Sequence, residues 1–228
     1  MGAIKLAIFD VAGTTAKDDG LVVQAFQDAI AASGYSAQEV VRMTEYVNAT
    51  MGQRKIDVFT HLCNGDRKLA ETMHEDFVSA YNSIVKRGNL EEFEGISDFF
   101  RSLRAHGVGI GITTGFPREI LAPILEGLNW SELIDVSVAA SEVPQGRPAP
   151  DMIFRAIEIY NQVNAMEITP EQVAVIGDTP SDVESGLNAG AGLVIAVTSG
   201  AFDRAALLPL GATEVLDYSI SALNLLIA

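Results

Sequence analysis

The stretch Ile8–Thr15, IFDVAGTT, ends an apolar run, IKLAIF, on a single acid, Asp10, and follows it at once with small flexible residues. That pattern predicts a buried strand whose carboxyl end hands one carboxylate to a loop. Many phosphotransfer enzymes carry a second carboxylate two residues on, and this chain has Ala12 there. Four further apolar runs read as buried strands: Val108–Thr114, Ile134–Val138, Val173–Ile176 and Leu193–Val197. Several are followed by loop residues and then a helical pattern. The alternation predicts an α/β fold, a doubly wound parallel sheet with helices on both faces. The first, second and fourth runs end at Asp10, Thr114 and Asp178, and open α/β sheets bind ligands at that edge.

The stretch from Asp18 to Asn89 breaks the alternation. Helical patterns occupy Leu21–Ser33, Ala37–Thr50 and Arg67–Arg87, with no clear strand, and strand-helix alternation resumes near Gly95–His106. This predicts an α/β core domain of residues 1–17 and 91–228 and an inserted helical cap domain of residues 18–90, hinged near Asp18–Gly20 and Gly88–Glu94. Repeats and low-complexity segments are absent from the sequence.

Bulk properties narrow the function. The 228 residues are 48% hydrophobic and 20% charged, as in a folded globular protein, with a formal net charge of −15. That charge repels nucleic acid and anionic lipid, so neither is an expected partner. An anionic substrate would need local cations. The lone cysteine, Cys63, excludes an intrachain disulfide, fits a reducing, cytoplasmic setting, and reads as a small apolar residue rather than a nucleophile. No apolar run approaches a membrane span. MGAIKLAIFD reads as the first strand rather than a signal peptide, and Leu6 stands where the myristoylation pattern after Gly2 wants Ser or Thr.

The acids carry several readings. Asp10 at a strand end suits a nucleophile, a metal ligand or a helix cap. IGDTPSD, Ile176–Asp182, repeats the motif of an acid just past a strand and places Asp178 and Asp182 four apart at a strand-to-helix junction. Such a cluster suits Mg²⁺, which takes one or two carboxylates plus waters and phosphate oxygens; Asp182 also suits a helix cap. In GITTGFPRE, the hydroxyls of Thr113 and Thr114 and the backbone around Gly115 can hold a phosphate oxygen. PQGRPAPD, Pro144–Asp151, surrounds one cation, Arg147, with Gly and Pro, a loop able to hold it over anionic oxygens.

Together these four motifs, in this order, resemble those of the haloacid dehalogenase superfamily over nearly the whole chain, implying its Rossmann-like core. Within it the chain is most similar to the phosphonoacetaldehyde hydrolases, or phosphonatases. The first motif reads D-x-AGTT, MGQRKID at Met51–Asp57 is similar to the MG-x-x-KID segment with its Schiff-base lysine, TTG is followed by RE, and the third-motif cation is Arg within GRPAP.

The resemblance explains Ala12. A phosphatase of the superfamily uses the second Asp to protonate an alkoxide, whereas P–C cleavage expels carbon and needs an electron sink. It implies that Lys55 condenses with the aldehyde, that the iminium takes up the electrons as an enamine, and that Asp10 attacks phosphorus to give an aspartyl-phosphate that water cleaves. Lys55 must react as a neutral amine, which desolvation under a cap favours. The implied catalytic residues are Asp10, Lys55, Thr114 and Arg147. Met51, Thr113 and Gly115 would bind substrate. Mg²⁺ would be held by Asp10, Asp178 and the Ala12 carbonyl, with Asp182 ligating directly or one layer behind. The partner is a small-molecule phosphonate or phosphate, with a homodimer also considered.

Three positions depart from the phosphonatase pattern: Val11 for Trp, Val58 for the His after KID, and Phe116 for the Tyr after TTG. His61, one helical turn past Val58, is a substitute for the missing imidazole. The departures open a different phosphonate, or a phosphate-ester phosphatase of the phosphoglycolate type, although Ala12 counts against the latter. Haloacid dehalogenation also dispenses with the second acid, but the Asp178–Asp182 cluster argues for a metal it does not need. Retention of the four motifs argues against a binding protein without activity.

Overall fold

The computed structural model describes residues 3–88 and 90–228. Gly2 of the myristoylation reading and Asn89 of the second hinge lie outside them. The chain runs β1 (Leu6–Phe9), α1 (Leu21–Ala32), α2 (Ala37–Ala49), α3 (Lys55–Leu62), α4 (Arg67–Lys86), α5 (Ile96–Ala105), β2 (Gly109–Thr114), α6 (Arg118–Gly127), β3 (Val136–Ala139), α7 (Asp151–Asn164), β4 (Val173–Gly177), α8 (Pro180–Ala189), β5 (Leu193–Val197) and β6 (Glu214–Leu216), with short helical turns near the C-terminus. The strands form one six-stranded parallel sheet in the order β3-β2-β1-β4-β5-β6.

β1 lies at the centre of the sheet, and every residue of it is buried. A strand paired on both edges and covered on both faces satisfies its backbone in the ladder and needs apolar side chains throughout, which is why it reads as an unbroken run. β1 neighbours β2 and β4, so Asp10, Thr114 and Asp178 leave the sheet at one edge. The sheet has one strand more than expected. β6 is three residues long at the sheet edge, and its side chains are exposed or half-buried. β3 also begins at Val136, because Ile134 closes a turn on the carbonyl of Trp130 and Asp135 accepts from the N–H of Ile110.

Between β1 and α5 the chain leaves the sheet for four helices. The two crossings run side by side: the Lys17 N–H donates to the Glu91 carbonyl, the Phe93 N–H donates to the Thr15 carbonyl, Ala16 bridges Glu92, and Lys17 pairs with Glu91 at 2.9 Å. Ser36 and Glu39 form a capping box on α2, and Asp66 caps α4. α3, eight residues long, is not one of the three helical patterns set out from the sequence, although the reading of His61 assumed a helical turn there. The four helices pack on an aromatic cluster. Phe26 lies 4.7 Å from both Phe59 and Phe77, and Tyr81 of α4 lies 4.7 Å from Phe116 of the loop after β2. Their apolar core is therefore continuous with the loop at the sheet edge, and helices and sheet bury one shared surface. No helix among the described residues is long and apolar enough to cross a membrane.

Candidate active site

Asp10 lies just past β1, 6% exposed, on a backbone held by its own N–H to the Ile176 carbonyl and by the Thr15 hydroxyl, which donates to the Asp10 carbonyl. Arg147 reaches it from the loop before α7. Its Nη1 donates to Asp10 Oδ1 at 2.6 Å and lies 2.7 Å from Asp182 Oδ1, an ion contact without hydrogen-bond alignment. Its Nη2 donates to the carbonyl and hydroxyl of Thr113. One guanidinium thus ties the ends of β1 and β2 to the start of α8.

Asp182 occupies the third residue of α8 and closes a capping box with Thr179; its Oδ2 accepts from the Thr179 N–H and hydroxyl. The cap and the ion contact thus coexist in one side chain. Asp178 is held from two loops. Thr14 Oγ1 donates to its Oδ1 at 2.9 Å, and the Ala201 N–H donates to its Oδ2 at 3.0 Å. The fit is close: a Cβ on Gly13 would come 2.6 Å from Asp178 Oδ2, and one on Gly200 would come 1.9 Å from it. Gly13 also stands at φ +87°, which favours glycine on a second ground. Thr14 and the loop Ser199–Ala201 were not among the expected site residues. Thr14 sits within the GTT motif, and Ser199-Gly200 follows β5 as Gly-rich loops follow the other strands.

These groups open on a cavity of about 730 Å³ between the sheet edge and helices α1, α2 and α3. Asp10, Ala12, Met51, Lys55, Thr114, Gly115 and Asp178 line it. Thr113 and Arg147 are buried behind this wall, and Thr113 serves Arg147 rather than the cavity. Adjacent residues of a strand face opposite sides, so only one of the two threonines can point each way. Thr114 Oγ1 accepts from the Phe116 N–H, which shapes the turn at Gly115.

The cavity roof is the loop Met51–Arg54, which presses on the sheet edge at backbone distance. A Cβ on Gly52 would come 2.3 Å from Thr179 Oγ1, and one on Gly115 would come 2.5 Å from the Gln53 carbonyl oxygen. The Lys55 N–H donates to the Gly115 carbonyl, and Arg54 donates to the Val143 carbonyl. This seats Lys55, the first residue of α3, inside the cavity at 4% exposure. Its amine lies 5.3 Å from the Phe116 ring centroid and 5.9 Å from that of Phe26, and donates to the Gln53 carbonyl at 3.3 Å. Val58 is buried in the aromatic cluster. His61 does not take its place: it is exposed and stacks on Tyr46 at 4.0 Å, outside the cavity lining.

Burial sets the protonation of these groups. Lys55 is lowered to about 8, mainly because desolvation disfavours the ammonium, against the attraction of Asp10. Asp10 is raised to about 7 by burial and by the neighbouring Asp182, against Arg147. Asp178 is raised well above the usual carboxylate range by burial and by repulsion from Asp10 and Asp182. Three buried carboxylates therefore face one permanent cation, Arg147. That excess of buried acid, with the Ala12 backbone in the same lining, is the donor chemistry a hard divalent cation takes. No group of three or more His, Cys, Asp or Glu ligands is gathered among the described residues. Mg²⁺ needs no such group, since one or two carboxylates with water and substrate oxygens suffice.

A family model for haloacid dehalogenase-like hydrolases matches residues 7–196. The chain belongs to the haloacid dehalogenase-like hydrolases. It is 33% identical over 212 residues to a phosphonoacetaldehyde hydrolase of Syntrophobacter fumaroxidans, covering 83% of this chain and 70% of that one. It is also 25% identical over 190 residues to the pyrophosphatase PpaX of Bacillus cereus, covering 82% and 80% of the two chains. Among solved structures, a phosphonoacetaldehyde hydrolase-like protein of Oleispira antarctica superposes with a TM-score of 0.82 at 20% identity, over 99% of this chain and 92% of that one. The protein is thus a hydrolase of this superfamily, related both to proteins named phosphonoacetaldehyde hydrolase and to proteins named pyrophosphatase.

Proposed function

We propose that the protein is a Mg²⁺-dependent hydrolase that cleaves the P–C bond of phosphonoacetaldehyde or a close analogue, with residues 18–90 acting as the cap. The observation that carries this reading is Lys55. A lysine buried between two aromatic rings, lining the same cavity as Asp10 and lowered to about 8, is suited to attack a carbonyl as a neutral amine.

Arg147 holds one oxygen of Asp10 and orients the carboxylate, leaving the other to attack phosphorus. The residues fit a cation held by Asp10, Asp178 and the Ala12 carbonyl, with Asp182 acting through Arg147. Bound there, it supplies positive charge to the phosphoryl oxygens. Lys55 forms an imine with the aldehyde. When the P–C bond breaks, its electron pair enters the iminium and leaves an enamine on Lys55, while phosphorus passes to Asp10. Water then cleaves the aspartyl-phosphate. The loop Met51–Arg54 shields the imine from water, and Thr114 and Gly115 shape the wall facing it.

The PpaX relatives, named pyrophosphatases, favour a second reading in which a P–O bond is hydrolysed, and a small phosphate ester of the phosphoglycolate type, the alternative read from the sequence, is a substrate of that kind. Ala12 opposes it, because a P–O leaving group needs the proton a second acid supplies. Assays with phosphonoacetaldehyde and a panel of phosphate esters, with and without Mg²⁺, separate the two. Turnover of the phosphonate with borohydride-trapped label on Lys55 supports the first; turnover of esters alone supports the second.

A further inference from the structure

Imine formation from a neutral amine consumes a proton: amine plus aldehyde plus H⁺ gives iminium plus water. The proton must come from a group beside the substrate carbonyl. Val58 and Phe116 remove the His and Tyr hydroxyl that the related sequence pattern would offer there. The titratable side chains lining the cavity are Asp10, Lys17, Asp18, Asp19, Lys55 and Asp178.

Four of them besides Lys55 are otherwise committed. Asp10 is the group held for phosphorus. Asp178 is the carboxylate assigned to the cation, and Thr14 and Ala201 each donate to one of its oxygens. Lys17 pairs with Glu91 at 2.9 Å. Asp19 is exposed. Asp18 is half-buried, and the Val22 N–H of the first turn of α1 donates to its Oδ1 at 3.0 Å, anchoring the carboxyl at the cavity wall. The same helix carries Phe26 against the Lys55 amine. No carboxylate oxygen among the described residues lies within 4.0 Å of Lys55 Nζ. That gap keeps the amine from being pinned as an ammonium and leaves room for a carbonyl oxygen.

We propose that Asp18 is the catalytic acid of imine formation, donating its proton to the hydroxyl of the carbinolamine on Lys55. This rests on the P–C reading above. In the step, the carbinolamine C–O bond breaks, the nitrogen lone pair forms C=N⁺, and the hydroxyl leaves as water with the Asp18 proton. Asp18 is left as a carboxylate beside the iminium. After P–C cleavage the enamine carbon takes a proton from water, whose hydroxide is neutralised by the proton released when water cleaves the aspartyl-phosphate, and hydrolysis of the resulting iminium frees the product aldehyde and returns one proton to Asp18. Burial raises Asp18 from its ordinary value, which favours the acid form; the Val22 N–H and Lys55 of α3 act against it, and Asp19 acts with it. The Tyr81 hydroxyl of α4 and Lys17 complete the titratable groups around it.

The test is the rate of borohydride-trapped adduct on Lys55 with phosphonoacetaldehyde, from pH 5 to 9. Asp18→Asn keeps an oxygen for the Val22 N–H but cannot donate as an acid, and Asp18→Glu keeps the acid. The expected result is a tenfold or larger slowing in Asp18→Asn, loss of the fall in wild-type rate at rising pH, and partial recovery in Asp18→Glu. The wild-type profile carries the same information should either variant fold poorly: a rate that only rises with pH overturns the proposal. A wild-type rate in Asp18→Asn across the range reduces Asp18 to a cap of α1 and overturns the proposal alone. Absence of any adduct in the wild type overturns the P–C reading and this proposal with it.

Discussion

The backbone N–H of Lys55 donates to the carbonyl of Gly115 at 3.3 Å, so the catalytic candidate of the helical segment is registered directly on the loop that follows β2. The contact exists because Gly115 has no side chain: the space a Cβ would occupy holds the carbonyl oxygens of Gln53 and Gly52 at 2.5 and 2.7 Å. Both obstacles are backbone and cannot rotate away.

Gly115→Ala is therefore expected to lift the roof loop and displace Lys55 by about 1 Å, costing roughly tenfold to a hundredfold in kcat/KM on an aldehyde phosphonate. Steady-state kinetics beside a thermal melt check it. Unchanged kcat/KM with a lowered Tm would reduce the contact to a packing detail.

Lys55→Arg keeps the positive charge and the length but cannot become a neutral amine. Turnover of phosphonoacetaldehyde is expected to fall by at least about a thousandfold, roughly 4 kcal/mol of barrier. Retention of most activity would mean that Lys55 attracts phosphate only.

The lowered Lys55 also sets a pH dependence. With its value near 8, about one molecule in ten carries the neutral amine at pH 7, against fewer than about one in a thousand for an ordinary lysine. In Asp18→Asn, where no acid limb is superimposed, the rate of adduct formation is expected to rise tenfold per unit below about pH 7 and to level off above about pH 8. A limb still rising at pH 10 would show an unperturbed amine.

Asp10 and Asp178 bind protons more tightly in the folded chain than an ordinary carboxylate does. Between about pH 4 and 7 the native state therefore holds more protons than the unfolded one, and its stability falls as pH rises through that window. The metal-free protein is expected to melt lower at pH 8 than at pH 5. Added Mg²⁺ is expected to raise Tm more at pH 8, where Asp10 has lost its proton. Equal shifts at the two pH values would argue against carboxylate ligation.

Sequence and structure agree where burial leaves a periodic trace. β1, β2, β4 and β5 are covered on both faces and read as unbroken apolar runs, and the acids past them mark the sheet edge. β6 left no such trace because it is short, at the edge and partly exposed. The inward face of α3 was hidden because it is headed by a lysine, and no local pattern says that a lysine on a short helix faces inward. The misassignment of His61 has the same root. Spacing from Val58 suggests a shared face, but α3 buries Lys55, Val58 and Phe59 and turns His61 onto Tyr46. The division of labour between Thr113 and Thr114 depends on which face of β2 meets Arg147, a tertiary fact.

The paired crossings at Lys17 and Glu91 bear on how such a protein changes over generations. The inserted helices begin and end on neighbouring rungs of one short ladder, so exchange of the whole insert by recombination leaves the strand ends in register. On the reading proposed above, Asp10, which acts at phosphorus, stays with the sheet, and Lys55, which acts at the carbonyl, goes with the insert, so such an exchange would alter the leaving group while sparing the attacking carboxylate.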